Sequence, residues 1–130
     1  MRRGALVLRV GATMSWIPAT AIARLVPLPA LGAVPNAPED LAGLAHADGE
    51  VIPVVDLRPA PQRAHAVDGM LVVCSWHGEP LGLAGAQVVG VGHYDADPSA
   101  PDLLVVGTER ARPLDLAPIA ARLQGRGWGA

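Results

Sequence analysis

The chain has 130 residues, a formal net charge of -2, 51% hydrophobic and 17% charged residues, a balance that excludes a disordered chain and supports one modest core. All 10 basic residues are Arg, and none forms a run beyond Arg2-Arg3. The basic stripe with interleaved aromatics that marks nucleic-acid binding is therefore absent.

Ala5–Val10 reads as a strand with Leu6, Leu8 and Val10 on one face and Arg9 on the other. Gly11-Ala12 marks a turn, and Met14–Ile17 reads as a second strand. Pro18 opens an expected helix over Ala19–Leu25, in which Ile22 and Leu25 lie three apart; Pro27 and Pro29 end it. Leu28–Ala42, with its prolines among Leu31, Val34 and Leu41, reads as an ordered crossing segment. Pro38-Glu39-Asp40 is suited to one short helical turn within it.

The polar turn Ala47-Asp48-Gly49 leads into the strongest strand, Val51–Leu57. Pro53 inside it removes a ladder donor, which points to an edge strand or a bulge. Arg58–Asp68 is a polar, Pro-containing connection and the expected internal boundary. Met70–Trp76 and Leu81–Ala84 flank the hairpin signal His77-Gly78-Glu79-Pro80. A strand is expected over Gln87–Val91, a loop over Asp95–Asp102 and a strand over Leu103–Val106. Leu116, Ile119, Ala120 and Leu123 place an amphipathic helix in Pro113–Leu123, followed by a frayed tail over Gln124–Ala130. The fold class expected is mainly β: two small SH3-like β-barrel lobes sharing a core, with one or two short helices. One domain spans 1–130, with approximate lobes 1–58 and 68–123.

The residues that carry chemistry do not assemble in the sequence. His46, His65, His77 and His93 are dispersed without a metal-ligand pair, so no metal is expected. Asp95-Ala96-Asp97 opens like a calcium loop, but Pro98 follows and the required glycine and glutamate are missing. Ser15, Ser75 and Ser99 lack a G-x-S-x-G setting. Gly82, Gly85, Gly90 and Gly92 make no phosphate cradle, so no cofactor is expected and the chain reads as a non-enzyme. The single Cys74 sits in the apolar run Met70–Cys74, reads as a buried small hydrophobe and fits a reducing cytoplasm. The apolar stretch near the N-terminus is interrupted by Arg9 and is too short for a signal peptide. No run reaches the length of a membrane span, so no membrane insertion is expected and the location expected is cytoplasmic.

Val34-Pro35-Asn36-Ala37-Pro38-Glu39-Asp40-Leu41-Ala42-Gly43-Leu44, followed by Gly49-Glu50-Val51-Ile52-Pro53-Val54-Val55-Asp56-Leu57-Arg58, resembles the central signature of the CheW family. That signature runs from P-N-A-P through a G-hydrophobic step and N-L-R-G to a strand ending in D-L-R. Trp16-Ile17-Pro18-Ala19-Thr20-Ala21-Ile22 resembles the family's first strand-to-helix junction. Leu81-Gly82-Leu83 with Val88-Val89-Gly90-Val91 resembles its later hairpin.

The resemblance implies two β-barrels without catalytic activity, acting as an adaptor in bacterial chemotaxis signalling. It implies two partners, the regulatory domain of a CheA-type histidine kinase and the cytoplasmic tip of a chemoreceptor. The candidate receptor-facing residues are Val34, Asn36, His46, Asp48 and Glu50; Leu81, Leu83 and Val88 are the candidates for the kinase-facing barrel. Two departures stand out. His46-Ala47-Asp48-Gly49 replaces N-L-R-G, putting an acid where the family has an arginine, and Gly85 lies near the place of a family acid. A charge reversal at an interface tends to reject an unchanged partner. The second reading is a CheW-like module serving a non-chemotaxis pathway. The third is a small β-barrel ligand binder or enzyme, which a deep pocket with converging polar groups would support.

Overall fold

The computed structural model describes residues 2–124. Alternating burial and two-residue turns build ten strands, in chain order β1 Arg2–Val10, β2 Thr13–Pro18, β3 Ile22–Pro27, β4 Leu41–Ala47, β5 Glu50–Asp56, β6 Met70–Trp76, β7 Glu79–Ala84, β8 Gln87–Asp97, β9 Ala100–Val106 and β10 Glu109–Pro113; helix α1, Leu116–Gln124, follows. Strands β1-β2-β10-β9-β8 close into a barrel, and β3-β6-β7-β5-β4 form a five-stranded sheet. The mainly β architecture matches the expectation, with one lobe closed and the other a sheet. The frayed tail falls outside the described residues except for Gln124, which ends α1.

Three apolar clusters hold these layers. Ala5, Val7, Met14, Trp16, Leu104 and Ala111 fill the barrel. Ala45, Ile52, Val54, Leu71, Val73 and Ala84 line one face of the sheet. Between them, Leu6, Leu8 and Ile17 meet Val55, Val72, Cys74, Leu81 and Leu83 from the sheet and Leu116, Ile119 and Leu123 from α1. Strands β5, β6 and β7 thus bury both faces, which is why Val54-Val55 and Leu71–Cys74 read as continuous apolar runs without alternation. The helix-spaced residues of α1 supply the last side of the shared core.

The lobes do not divide at Arg58–Asp68. The chain leaves the barrel after β2, completes β3 to β7 in the sheet, and returns at β8.

The expected helix over Ala19–Leu25 is a single 3-10 turn, Ala19–Ala21, followed by β3. Five residues of β3 pair with β6, and those long-range ladder bonds override a weak local preference. The helical turn at Pro38-Glu39-Asp40 reduces to one hydrogen-bonded turn, Leu41 N–H to Pro38 O at 3.0 Å. The end of the crossing segment, Leu41-Ala42, already belongs to β4.

Strand β5 is an interior strand, between β7 and β4, and not an edge. Leu44 exchanges both backbone hydrogen bonds with Gly32, away from β5. Its cross-strand neighbour Pro53 therefore turns its nitrogen toward β7, where pairing begins only at Val54. The proline costs the ladder no donor that it uses.

The loop expected over Asp95–Asp102 is largely strand. β8 runs on to Asp97, β9 begins at Ala100, and Pro98-Ser99 makes the link. The Asp97 carboxylate accepts from Ser99 N–H and Oγ at 2.9 and 2.8 Å and from Arg110 Nε at 2.7 Å. Those donors, Arg110 first, hold its carboxyl down to about 2. Strand β10 had no counterpart in the sequence reading. Among the described residues no helix is long and apolar enough to cross a membrane.

Candidate protein-interaction site

The β4–β5 hairpin turns through Asp48-Gly49, with φ of 49° and 80°. A two-residue hairpin needs positive φ at both positions, and Asp-Gly is among the pairs that supply it. The acid at Asp48 thus meets the demand of its own turn. Across the sheet, Arg24 of β3 donates to the carboxylates of Asp48 and Glu50, the latter at 2.9 Å. Strands β3 and β4 are the two edges of the sheet, so this ion-pair fork ties the first strand to the tip of the last hairpin. The Gly32–Leu44 bridge holds the crossing segment after β3 against the outer edge of β4 by backbone.

Around the fork lies a mixed surface. His46 is exposed beside its cross-strand neighbour Val51, which is 51% exposed. Asp48 is 77% and Arg24 24% exposed by side chain. The hairpin therefore brings together His46, Asp48 and Glu50, three of the five residues nominated for the receptor-facing groove. Val34, half-buried, and Asn36, exposed with φ of 60°, sit on the crossing segment that borders the outer edge of β4. Arg24 and Val51 had not been singled out. Nothing in the local pattern of β3 announces that Arg24 reaches a hairpin tip.

The second nominated set is placed differently. Leu81 and Leu83 are only 3% and 1% exposed and belong to the shared core, because β7 alternates them toward the barrel and α1. They offer a partner no surface. Val88 is half-buried, packs against the same core, and lines a groove of about 430 Å³ with Arg58, Val67, Met70, Gly85 and Gln87.

The D-L-R end of the signature is also internal. Buried Asp56 grips Arg58 through Nε–Oδ1 at 3.0 Å and Nη2–Oδ2 at 2.8 Å, and accepts from the Arg58 N–H at 3.0 Å. Arg58 Nη2 reaches His65 O at 2.9 Å, and Arg63 Nε donates to Arg58 O at 2.7 Å. The network fastens the 58–68 connection onto the end of β5. Burial raises the Asp56 pKa, but the hydrogen bonds and positive charge of Arg58 and the charge of Arg63 outweigh it, leaving the carboxyl below its ordinary value.

Among the described residues no group of three His, Cys, Asp or Glu side chains is placed to hold a metal ion. Cys74 is buried, and burial pushes its thiol up to about 12. The surface at the hairpin is suited to docking a protein through an apolar centre and flanking charges.

A search of curated proteins returns no match. Among solved structures, the chain is similar to the crystal structure of the scaffolding protein TtCheW from Thermoanaerobacter tengcongensis. The two share 16% identity and a TM-score of 0.68, over 89% of this chain and 90% of that one. At that identity the likeness shows the fold. The family model described as the CheW-like domain matches residues 4–114, so the chain belongs to the CheW-like domain family.

Proposed function

We propose that this domain is a non-catalytic adaptor that couples a CheA-type histidine kinase to the cytoplasmic tip of a chemoreceptor, working in the cytoplasm. Family membership supports the scaffold role. The observation that carries the finer reading is the hairpin surface, where half-exposed Val51 is framed by His46, Asp48, Glu50 and the Arg24 fork. An apolar helix face docks on such a patch, while the flanking charges select its register. Val34 and Asn36 on the bordering segment extend the surface.

Calorimetric titration with the regulatory domain of a CheA-type kinase, and separately with a receptor-tip coiled coil, tests the proposal. Micromolar or tighter binding to both supports coupling; binding to neither removes it.

One observation favours a narrower version. The acid at Asp48, engaged by Arg24, stands where the family signature has an arginine. A conventional receptor then meets the wrong charge, and the module serves a kinase or scaffold in another pathway. Binding to the kinase without binding to any receptor tip distinguishes that version.

A further inference from the structure

Strand β1 feeds the barrel from alternate positions. Ala5 and Val7 are buried in the barrel cluster, and Arg3, two residues before Ala5, enters on the same face near the end of the strand. It is half-buried, opposite Tyr94 of β8, and its guanidinium carbon lies 5.7 Å from the centre of the Trp16 ring. That ring is itself held, because Trp16 Nε1 donates to Asp102 O at 2.9 Å. The barrel mouth thus presents a cation over a fixed aromatic face.

What the cation lacks is an anion. Arg2, Arg9, Arg24, Arg58 and Arg110 each pair with a carboxylate, and Arg112 is exposed to solvent. Among the described residues Arg3 makes neither a side-chain hydrogen bond nor an ion pair. Its Nε is buried without a partner, whereas its two Nη atoms are not closed off. Asp102 supplies the oxygen that holds Trp16, but its carboxylate forms no ion pair with Arg3. A guanidinium cannot shed its proton, so losing water without gaining a counter-charge is costly. The Trp16 face offsets only part of that cost.

We infer that this mouth is a binding site for a carboxylate, the acidic side chain of a protein that the domain engages. A planar guanidinium offers a carboxylate two parallel donors, and the Trp16 face fixes the plane in which they lie. The site is in the barrel, whereas the β4–β5 hairpin belongs to the other sheet, so it is a separate contact point. The choice of a protein as the source rests on the adaptor function proposed above. There, buried Leu81 and Leu83 leave the kinase without a surface, and an acid of its regulatory domain is the occupant assigned here.

Two titrations of the full chain test this. In the first, heteronuclear NMR follows the arginine Nε–H resonances as N-acetylglutamic acid amide is added, with N-acetylglutamine amide as the uncharged control. The resonance missing in Arg3→Gln should shift saturably with the acid and stay still with the control. Equal shifts with both, or none with either, overturn the inference, since water alone then meets the guanidinium. So does a saturable shift that appears only in Asp102→Asn, because the chain's own acid then fills the site. In the second, the kinase regulatory domain is titrated by calorimetry. Arg3→Gln is expected to weaken binding by about tenfold or more, and Arg3→Lys by less, because the charge remains. Both variants should melt near the temperature of the parent chain, since no hydrogen bond is lost. Undiminished binding by Arg3→Gln overturns the inference while the adaptor function stands. A parent chain that binds no kinase removes the adaptor function, and the first titration then decides the carboxylate site by its own outcome.

Discussion

The Asp56 carboxylate holds the Arg58 guanidinium by two parallel contacts, 3.0 Å at Nε and 2.8 Å at Nη2, two residues further along the chain. Strand β5 ends at Asp56, and the pair turns the chain into the 58–68 connection, which Arg58 then pins at His65 O. The D-L-R of the signature is thereby an internal fastening of the fold.

Removing one member of such a pair strands the other. Asp56→Asn is expected to lower stability by about 2–3 kcal/mol, toward the low end for a broken buried pair because Arg58 keeps some solvent. Urea midpoints with a constant slope check this. The pH dependence has a definite sign. The folded pKa lies below the unfolded one, so the stabilisation is complete above the unfolded carboxylate value of about 3.9 and is lost as pH falls through the folded value. The gap between parent and variant should be widest near neutrality and shrink in acid.

Gly85 lies near where the family places an acid, and the structure shows why an acid is unwelcome here. Its φ is +82°, and an added Cβ would sit 2.5 Å from Asp56 Oδ1 and 2.8 Å from Arg58 Cγ. Gly85→Ala should cost about 2 kcal/mol or more, from the left-handed backbone and the overlap together. Gly85→Asp should cost more, because it adds a carboxylate beside Asp56. Thermal melts of the two variants provide the check, and the order of their midpoints is the critical reading.

Asp48→Arg restores the family's charge at the hairpin. It is expected to strengthen binding to a conventional receptor tip, and unchanged or weaker affinity in a titration would count against the hairpin as the receptor surface. The fold should survive. Arg24 retains Glu50, an exposed pair is worth about 1 kcal/mol or less, and a left-handed arginine costs about 1–2 kcal/mol.

Cys74 should be silent to thiol reagents in the native protein. Its side chain is buried and its pKa stands at about 12, so almost no thiolate exists at pH 8. Labelling with an aromatic disulfide should proceed at the rate of unfolding and become fast in denaturant. Rapid labelling without denaturant would mean that β6 opens.

What the sequence by itself determined was set by interactions between near neighbours. The segments Ala47-Asp48-Gly49 and His77-Gly78-Glu79-Pro80 mark turns by their composition, and the structure narrows each turn to two residues. The apolar runs in Val51–Leu57 and Met70–Trp76 announce strands, and the spacing of Leu116, Ile119 and Leu123 announces a helix with one buried side. The signature from Val34 to Arg58 carried the family.

Only the tertiary structure decided who pairs with whom. Ile22–Pro27 becomes a strand because β6 offers it a ladder, and β1 joins β8 although most of the chain lies between them. The same ordering buries Leu81 and Leu83 and brings Arg24 to Asp48 and Glu50. Ladder bonds and ion pairs across a sheet have energies set by residues far apart in the chain. A local window cannot weigh them, so the candidate surfaces came into view only when the strands were in place.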